Sequence, residues 1–109
     1  MPPKRWAEGE AVRASEQILE RSADEALRVG AEASRRSNYK EAAEIFRRIL
    51  ARQPASATVW ANLAWALESL REDEPAREAW LKAVVLDPLN TSIRKDHDSY
   101  EKRRSQRPK

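Results

Sequence analysis

At 109 residues, with 40% hydrophobic and 36% charged side chains, the chain suffices for one small domain of helices with solvated outer faces. It has no cysteine and a single histidine, His97, which excludes disulfides, thiolate metal sites, cysteine nucleophiles and any two-histidine metal cluster. The net charge of +3 sits at the ends: residues 1–5 carry +2, residues 94–109 carry +4, and the body from 6 to 93 is −3.

An acidic body weakens the case for nucleic-acid binding by the folded part. No apolar run approaches a membrane span, and the opening MPPKRWAEGE lacks the apolar core of a signal peptide. A soluble, cytoplasmic protein is therefore expected.

Residues 1–5, with Pro2-Pro3 and two bases, are expected to be disordered. Residues 6–21 read as an amphipathic helix with Ala11, Val12, Ser15, Ile18 and Leu19 on one face. Ser22 with Glu25 three residues later has the form of a capping box and argues for a break. No Gly or Pro enforces one, so a single helix over 8–36 also fits the pattern.

Residues 23–36 carry a narrow stripe of Ala26, Val29, Gly30 and Ala33. A helical Gly costs about 1 kcal/mol relative to Ala, so Gly30 predicts close approach of a neighbouring helix, with Ala42 the expected partner. The next stretch, NYKEAAEIFRRILARQP over 38–54, has Asn38 as its predicted cap and Glu41 placed to reach back. Ala42, Ile45, Phe46 and Ile49 recur at helical spacing before Gln53-Pro54 ends the run.

A shift of thirty-four residues brings the pattern back as EDEPAREAWLKAVVLDP over 72–88. Ala42 falls on Ala76, Phe46 on Trp80 and Pro54 on Pro88. The helix before it, ATVWANLAWALESL over 57–70, packs through Trp60, Leu63, Ala64 and Leu67, with Ala64 in the place of Gly30. Asp73 is the predicted N-cap of the second-copy partner helix, and Pro75 suits its first turn. Residues 91–103 read as a capping helix with Ile93, His97 and Tyr100 on one side. The basic KRRSQRPK from Lys102 is expected to fray, leaving 104–109 as a tail.

A helix–turn–helix period of thirty-four residues with these positions resembles the tetratricopeptide repeat family. Repeat 1 covers 23–56 and repeat 2 covers 57–90. Trp60, Leu63 and Ala64 match the family's bulky, apolar and small positions, and Ala26, Val29 and Gly30 match with the bulky residue missing. Ala42, Phe46, Ile49 and Pro54 match the second helix in one copy, and Ala76, Trp80, Ala83 and Pro88 in the other. Tyr39 matches a frequent aromatic, whereas Ser37 and Arg71 stand where the family commonly has glycine.

The resemblance implies an all-α fold of antiparallel helix-turn-helix repeats stacked as a short right-handed α-solenoid. It also implies a non-enzymatic adaptor that holds a peptide or amphipathic helix in a concave groove, without cofactor or metal. The implied groove positions are Asp24, Leu27, Arg28, Ala31, Ser34 and Arg35 from repeat 1. Repeat 2 adds Thr58, Ala61, Asn62, Trp65, Glu68 and Ser69, with Lys95 and Ser99 from the last helix. A receptor for carboxyl-terminal tails is disfavoured, because Leu27 and Ala31 stand where that clamp has Lys and Asn.

Trp65 lies opposite the Leu63–Leu67 stripe. It is either a partner anchor or a residue packed on a neighbouring helix. His97, with no second ligand or nucleophile beside it, reads as a half-buried structural residue. The basic tail admits RNA, an acidic protein or an import receptor as partner, and half-tetratricopeptide proteins of RNA processing share the look of Trp60 and Ala76-Arg77. A homo-oligomer paired through the N-terminal helix is a further expectation, because that helix has an apolar stripe and two repeats are few.

Overall fold

The computed structural model describes residues 9–19 and 22–107. The expectations for residues 1–5, for the outer residues of the 6–21 helix and for the end of the tail lie outside the described residues. Among the described residues are six helices: α1 (Glu10–Leu19), α2 (Ala23–Arg35), α3 (Tyr39–Arg52), α4 (Ala57–Ser69), α5 (Asp73–Leu86) and α6 (Thr91–Ser105). Among the described residues all regular structure is helical, and each helix packs against the next.

Helix starts repeat with the sequence. The first helix of each unit is capped by a side chain: Ser22 accepts from the Glu25 amide at 3.2 Å and Ser56 from the Val59 amide at 3.4 Å. Asn90 does the same for Ile93 at 3.1 Å. Such caps satisfy one of the donors that a helix N-terminus leaves open. These three residues stand at 22, 56 and 90, so α6 begins in the register of a third unit. Ser22 has extended backbone, with φ −156° and ψ 118°, which resolves the first two helices as separate.

The turns inside the units differ from expectation. Asn38 makes no side-chain cap, and its backbone closes α2: its amide donates to the Ala33 carbonyl at 2.8 Å, while the Ser37 amide donates to Ser34 at 2.9 Å. The second unit repeats this, with Glu72 donating to Leu67 and Arg71 to Glu68, both at 3.0 Å. This is the Schellman arrangement, whose central residue takes the left-handed conformation. Ser37 and Arg71 both do so, with φ 64°. Asp73 is consequently the first residue of α5 and not its cap. Glu41, expected to reach back to Asn38, instead accepts from the Gly9 amide and ties the start of α1 to α3.

Gly30 is buried, and a β-carbon there would lie 2.5 Å from Phe46 Cε1 and 3.1 Å from Ile45 Cγ2. The close approach is real, but its partners are Phe46 and Ile45 and not Ala42. In the second unit Trp80 and Ala64, at the positions of Phe46 and Gly30, are both fully buried. Full burial of a large side chain contributes roughly 2–3 kcal/mol, so Phe46 and Trp80 anchor their units.

α4 is the hub. It buries Val59, Ala61, Leu63, Ala64, Ala66 and Leu67, apolar nearly all round, against α2, α3 and α5. α1 packs on α2 and α3 and buries Ala11, Val12 and Ser15 of its stripe within the chain. The Leu19 side chain, expected on the same stripe, falls outside the described residues. Of the expected repeat core, Ala42, Phe46, Leu63, Ala64, Ala76 and Trp80 are buried, while Val29 and Trp60 are half-buried at its edge. Trp60 is held there by its indole N–H donating to the Pro54 carbonyl at 2.8 Å, with Lys82 Nζ 5.0 Å over the ring.

Candidate functional site

α2 and α4 are in contact, and α6 reaches α4 through Arg103. These three helices carry every residue expected to face a partner. Leu27 and Ala31 of α2 are half-buried, and Arg28 is exposed. Arg35 is exposed and paired with Glu32 at 2.7 Å, and that pair holds the Glu32 carboxyl below its usual range, chiefly through the Arg35 hydrogen bond. On α4, Thr58 and Ser69 are exposed and Asn62 is half-buried. The Asn62 amide donates to Thr58 O at 3.0 Å, and Ser69 Oγ donates to Trp65 O at 3.0 Å.

Two of the expected groove residues are not presented. Ala61 is buried, because α4 is enclosed on that side as well. Glu68 is committed inside the protein: Arg103 donates to it through Nε at 2.8 Å and through Nη2 at 2.9 Å, and Arg107 approaches to 3.9 Å. Only 10% of the Glu68 side chain is exposed. The bidentate bond is the geometry in which Arg and carboxylate fit best.

Trp65 combines both readings raised by its position. The residue is 41% exposed. One edge meets Trp80 with centroids 5.4 Å apart and planes at 77°, an edge-to-face contact. Arg103 Cζ lies 5.1 Å from the Trp65 centroid, within cation–π range. The indole is thus fixed from below by Trp80 and flanked by a guanidinium that Glu68 holds in place. The result is a rigid aromatic platform with one part open to water.

The C-terminal segment is more ordered than its composition predicted. α6 runs to Ser105 and not to 103, and Arg107 pairs with the Asp73 carboxylate. Tyr100 is fully buried, its ring tilted at 33° to that of Trp80 with centroids 6.2 Å apart, and its hydroxyl donates to Asp73 O at 3.2 Å. Sequence periodicity could not reveal these attachments, because each joins residues twenty or more positions apart. The outward side of α6 forms an open depression of about 540 Å³ lined by Thr91, Arg94, Lys95, Asp98, Ser99 and Lys102. Lys95 and Ser99 therefore lie on its solvent side.

His97 is largely buried on α6, with Nδ1 3.5 Å from Asp98 and Nε2 3.8 Å from Glu101. Its Nε2 is buried without a hydrogen-bond partner. Among the described residues no three His, Asp or Glu side chains converge as a metal site would require. Among them too, no helix is long and apolar enough to cross a membrane. No family model matches the chain, and no curated protein matches it either.

Proposed function

We propose that this chain is a tetratricopeptide-like adaptor, a short right-handed α-solenoid that binds a peptide or amphipathic helix along the face shared by α2 and α4. The observation that carries the reading is Trp65 of α4, a large aromatic left part-open while its ring is in contact with Trp80 and Arg103. A rigid, exposed Trp beside an Arg has the make-up of a binding hot spot, because it offers apolar area with little ordering cost. On α2, Leu27 and Ala31 are half-buried apolar residues and Arg28 is exposed, the make-up this reading expects of the rest of the face. The alternative of an RNA-associated protein acting through a basic tail is weakened, since Arg103 and Arg107 are engaged with Glu68 and Asp73.

The test is selection from a displayed peptide library, followed by amide chemical-shift mapping of a selected peptide. Shifts at Leu27, Ala31 and Trp65, with binding lost in Trp65→Ala and in Ala31→Glu, support the adaptor. Ala31→Glu changes a part-open helix position and leaves the Trp65–Trp80 contact in place, so its loss of binding is separable from misfolding. Shifts confined to α6, or retention of the peptide by Ala31→Glu, would sink the proposal.

A further inference from the structure

The basic side chains in and after α6 divide into two groups. Arg103 is bonded to Glu68, Arg104 lies 3.8 Å from Glu101 and Arg107 pairs with Asp73, so these cations are matched within the chain. Arg94, Lys95 and Lys102 are exposed and belong to no ion pair among the described residues. With Thr91, Asp98 and Ser99 they line the open depression on α6. The thirty-four-residue register shows what that depression corresponds to. α6 begins as α4 does, and its Arg94 and Ser99 stand at the positions of Trp60 and Trp65. In α4 those two side chains meet the following helix: Lys82 of α5 lies over the Trp60 ring, and Trp80 of α5 abuts Trp65. The depression is therefore the α6 counterpart of the strip that receives α5, and it is lined by α6 residues alone. Its chemistry is different, since Arg94 and Asp98 replace Trp60 and Ala64.

We propose that this strip of α6 is a second docking surface, the seat of a partner protein's helix that carries an acid–base–acid row. Residues three and four apart share a helix face, so Arg94 with Lys95, then Asp98, then Lys102 form one stripe that reads positive, negative, positive. At 1.5 Å per residue the stripe from Arg94 to Lys102 is about 12 Å long. A helix with Glu, Lys and Glu at successive turns opposes each of these charges, and such matching fixes register and rejects wrong partners. Three cations against one carboxylate make the net preference acidic. The Thr91 and Ser99 hydroxyls add donors for the partner's carboxylates. Single-stranded nucleic acid fits less well, because no aromatic side chain lines the depression for a base to stack on and Asp98 would face phosphate. The contacts are exposed, so the docking is weak and salt-dependent. It is separate from the α2–α4 face and does not depend on that face binding anything.

Fluorescence anisotropy of the full chain against labelled, alanine-based helical peptides at low salt tests this. One peptide carries Glu, Lys and Glu at four-residue spacing, a second carries the same residues spread around the helix, and a third carries Lys, Glu and Lys. The first is expected to bind at least about tenfold more tightly than the other two, and to be released by salt. The combined variant Arg94→Glu, Lys95→Glu, Asp98→Lys and Lys102→Glu should reverse the choice and take the Lys–Glu–Lys peptide. An unchanged circular dichroism spectrum in that variant shows that α6 stays formed. Ala31→Glu, on the other face, should bind the first peptide as the wild type does. Absence of saturable binding overturns the proposal, and so does equal binding of the first two peptides, which would reduce the stripe to a diffuse charge. Tighter binding of oligouridylate than of the first peptide also overturns it, in favour of nucleic acid. Failure of the charge-reversed variant to exchange peptides would place the contact elsewhere and sink it too.

Discussion

Arg103 of α6 lies 5.1 Å over the Trp65 ring while its guanidinium donates two hydrogen bonds to Glu68, one turn along α4 from that tryptophan. Glu68 holds the cation, and the cation flanks the indole. Tryptophan emission should therefore report on the carboxylate. Glu68→Gln is expected to leave the fold in place but loosen Arg103, costing about 1 kcal/mol for a part-exposed charge-assisted bond. Trp65 emission should shift to the red as the ring gains water, and Trp65→Phe should remove that component of the change. A Glu68→Gln variant with wild-type emission and denaturant midpoint would contradict the linkage.

Gly30 predicts a substitution effect opposite in sign to helix propensity. Gly30→Ala gains about 1 kcal/mol of propensity in an isolated helix. Here the new methyl meets Phe46 and Ile45, both fully buried with no room to retreat. Overpacking costs roughly 1–3 kcal/mol, so a net loss is expected in urea unfolding. Adding Phe46→Leu should return part of it.

The two left-handed turns predict gains. Ser37 and Arg71 each hold a β-carbon in a conformation that disfavours one by about 1–2 kcal/mol, and glycine gives back part of that relief as unfolded-chain entropy. Ser37→Gly and Arg71→Gly should each stabilise by roughly 0.5–1 kcal/mol, and the two should add because the turns are separate. Arg71→Ala serves as the control. It keeps the β-carbon, and no gain is expected.

Burial raises the Tyr100 pKa above its ordinary value of 10.0, because the phenolate would have to form inside the α5–α6 contact. A raised folded pKa contributes stability that is fully present below the unfolded value and is lost as pH rises through the folded one. The denaturant midpoint should therefore fall above pH 10.0, with α6 the helix affected. Tyr100→Phe should forfeit about 1 kcal/mol at neutral pH, where the hydroxyl bonds Asp73 O, and should flatten the alkaline decline. An equally steep decline in Tyr100→Phe would assign the effect to other groups.

The units were legible in the sequence because their determinants are local. Apolar spacing, Pro54 and Pro88 as stops, and the thirty-four-residue echo bounded α2 to α5 within one or two residues. Capping was read unevenly for a physical reason. Ser22, Ser56 and Asn90 hold the extended backbone of a side-chain cap, whereas Asn38 and Glu72 sit at ψ 63° and 79° and make no such bond, and Asp73 already lies inside α5. The site was legible in kind but not in state. Helical phase set Trp65 apart from the Leu63–Leu67 stripe, yet nothing near it in sequence could announce Arg103, thirty-eight positions on.

The placement of α4 has a kinetic consequence. It touches α2, α3 and α5 and takes Arg103 from α6, while α6 adds only Ile93 and Tyr100 to the core. Opening free energy should therefore grade along the chain and not be uniform. Amides of α4 should exchange with deuterium only through global unfolding. Those of α6 should exchange through a separate, lower-energy excursion that swings the last helix away and wets Trp80 with Trp65. Nearly all of the packing joins neighbouring helices, so refolding should be fast and limited by the docking of α3 on α4. The chain's cooperativity runs through one helix, and its ends report on that helix with different lifetimes.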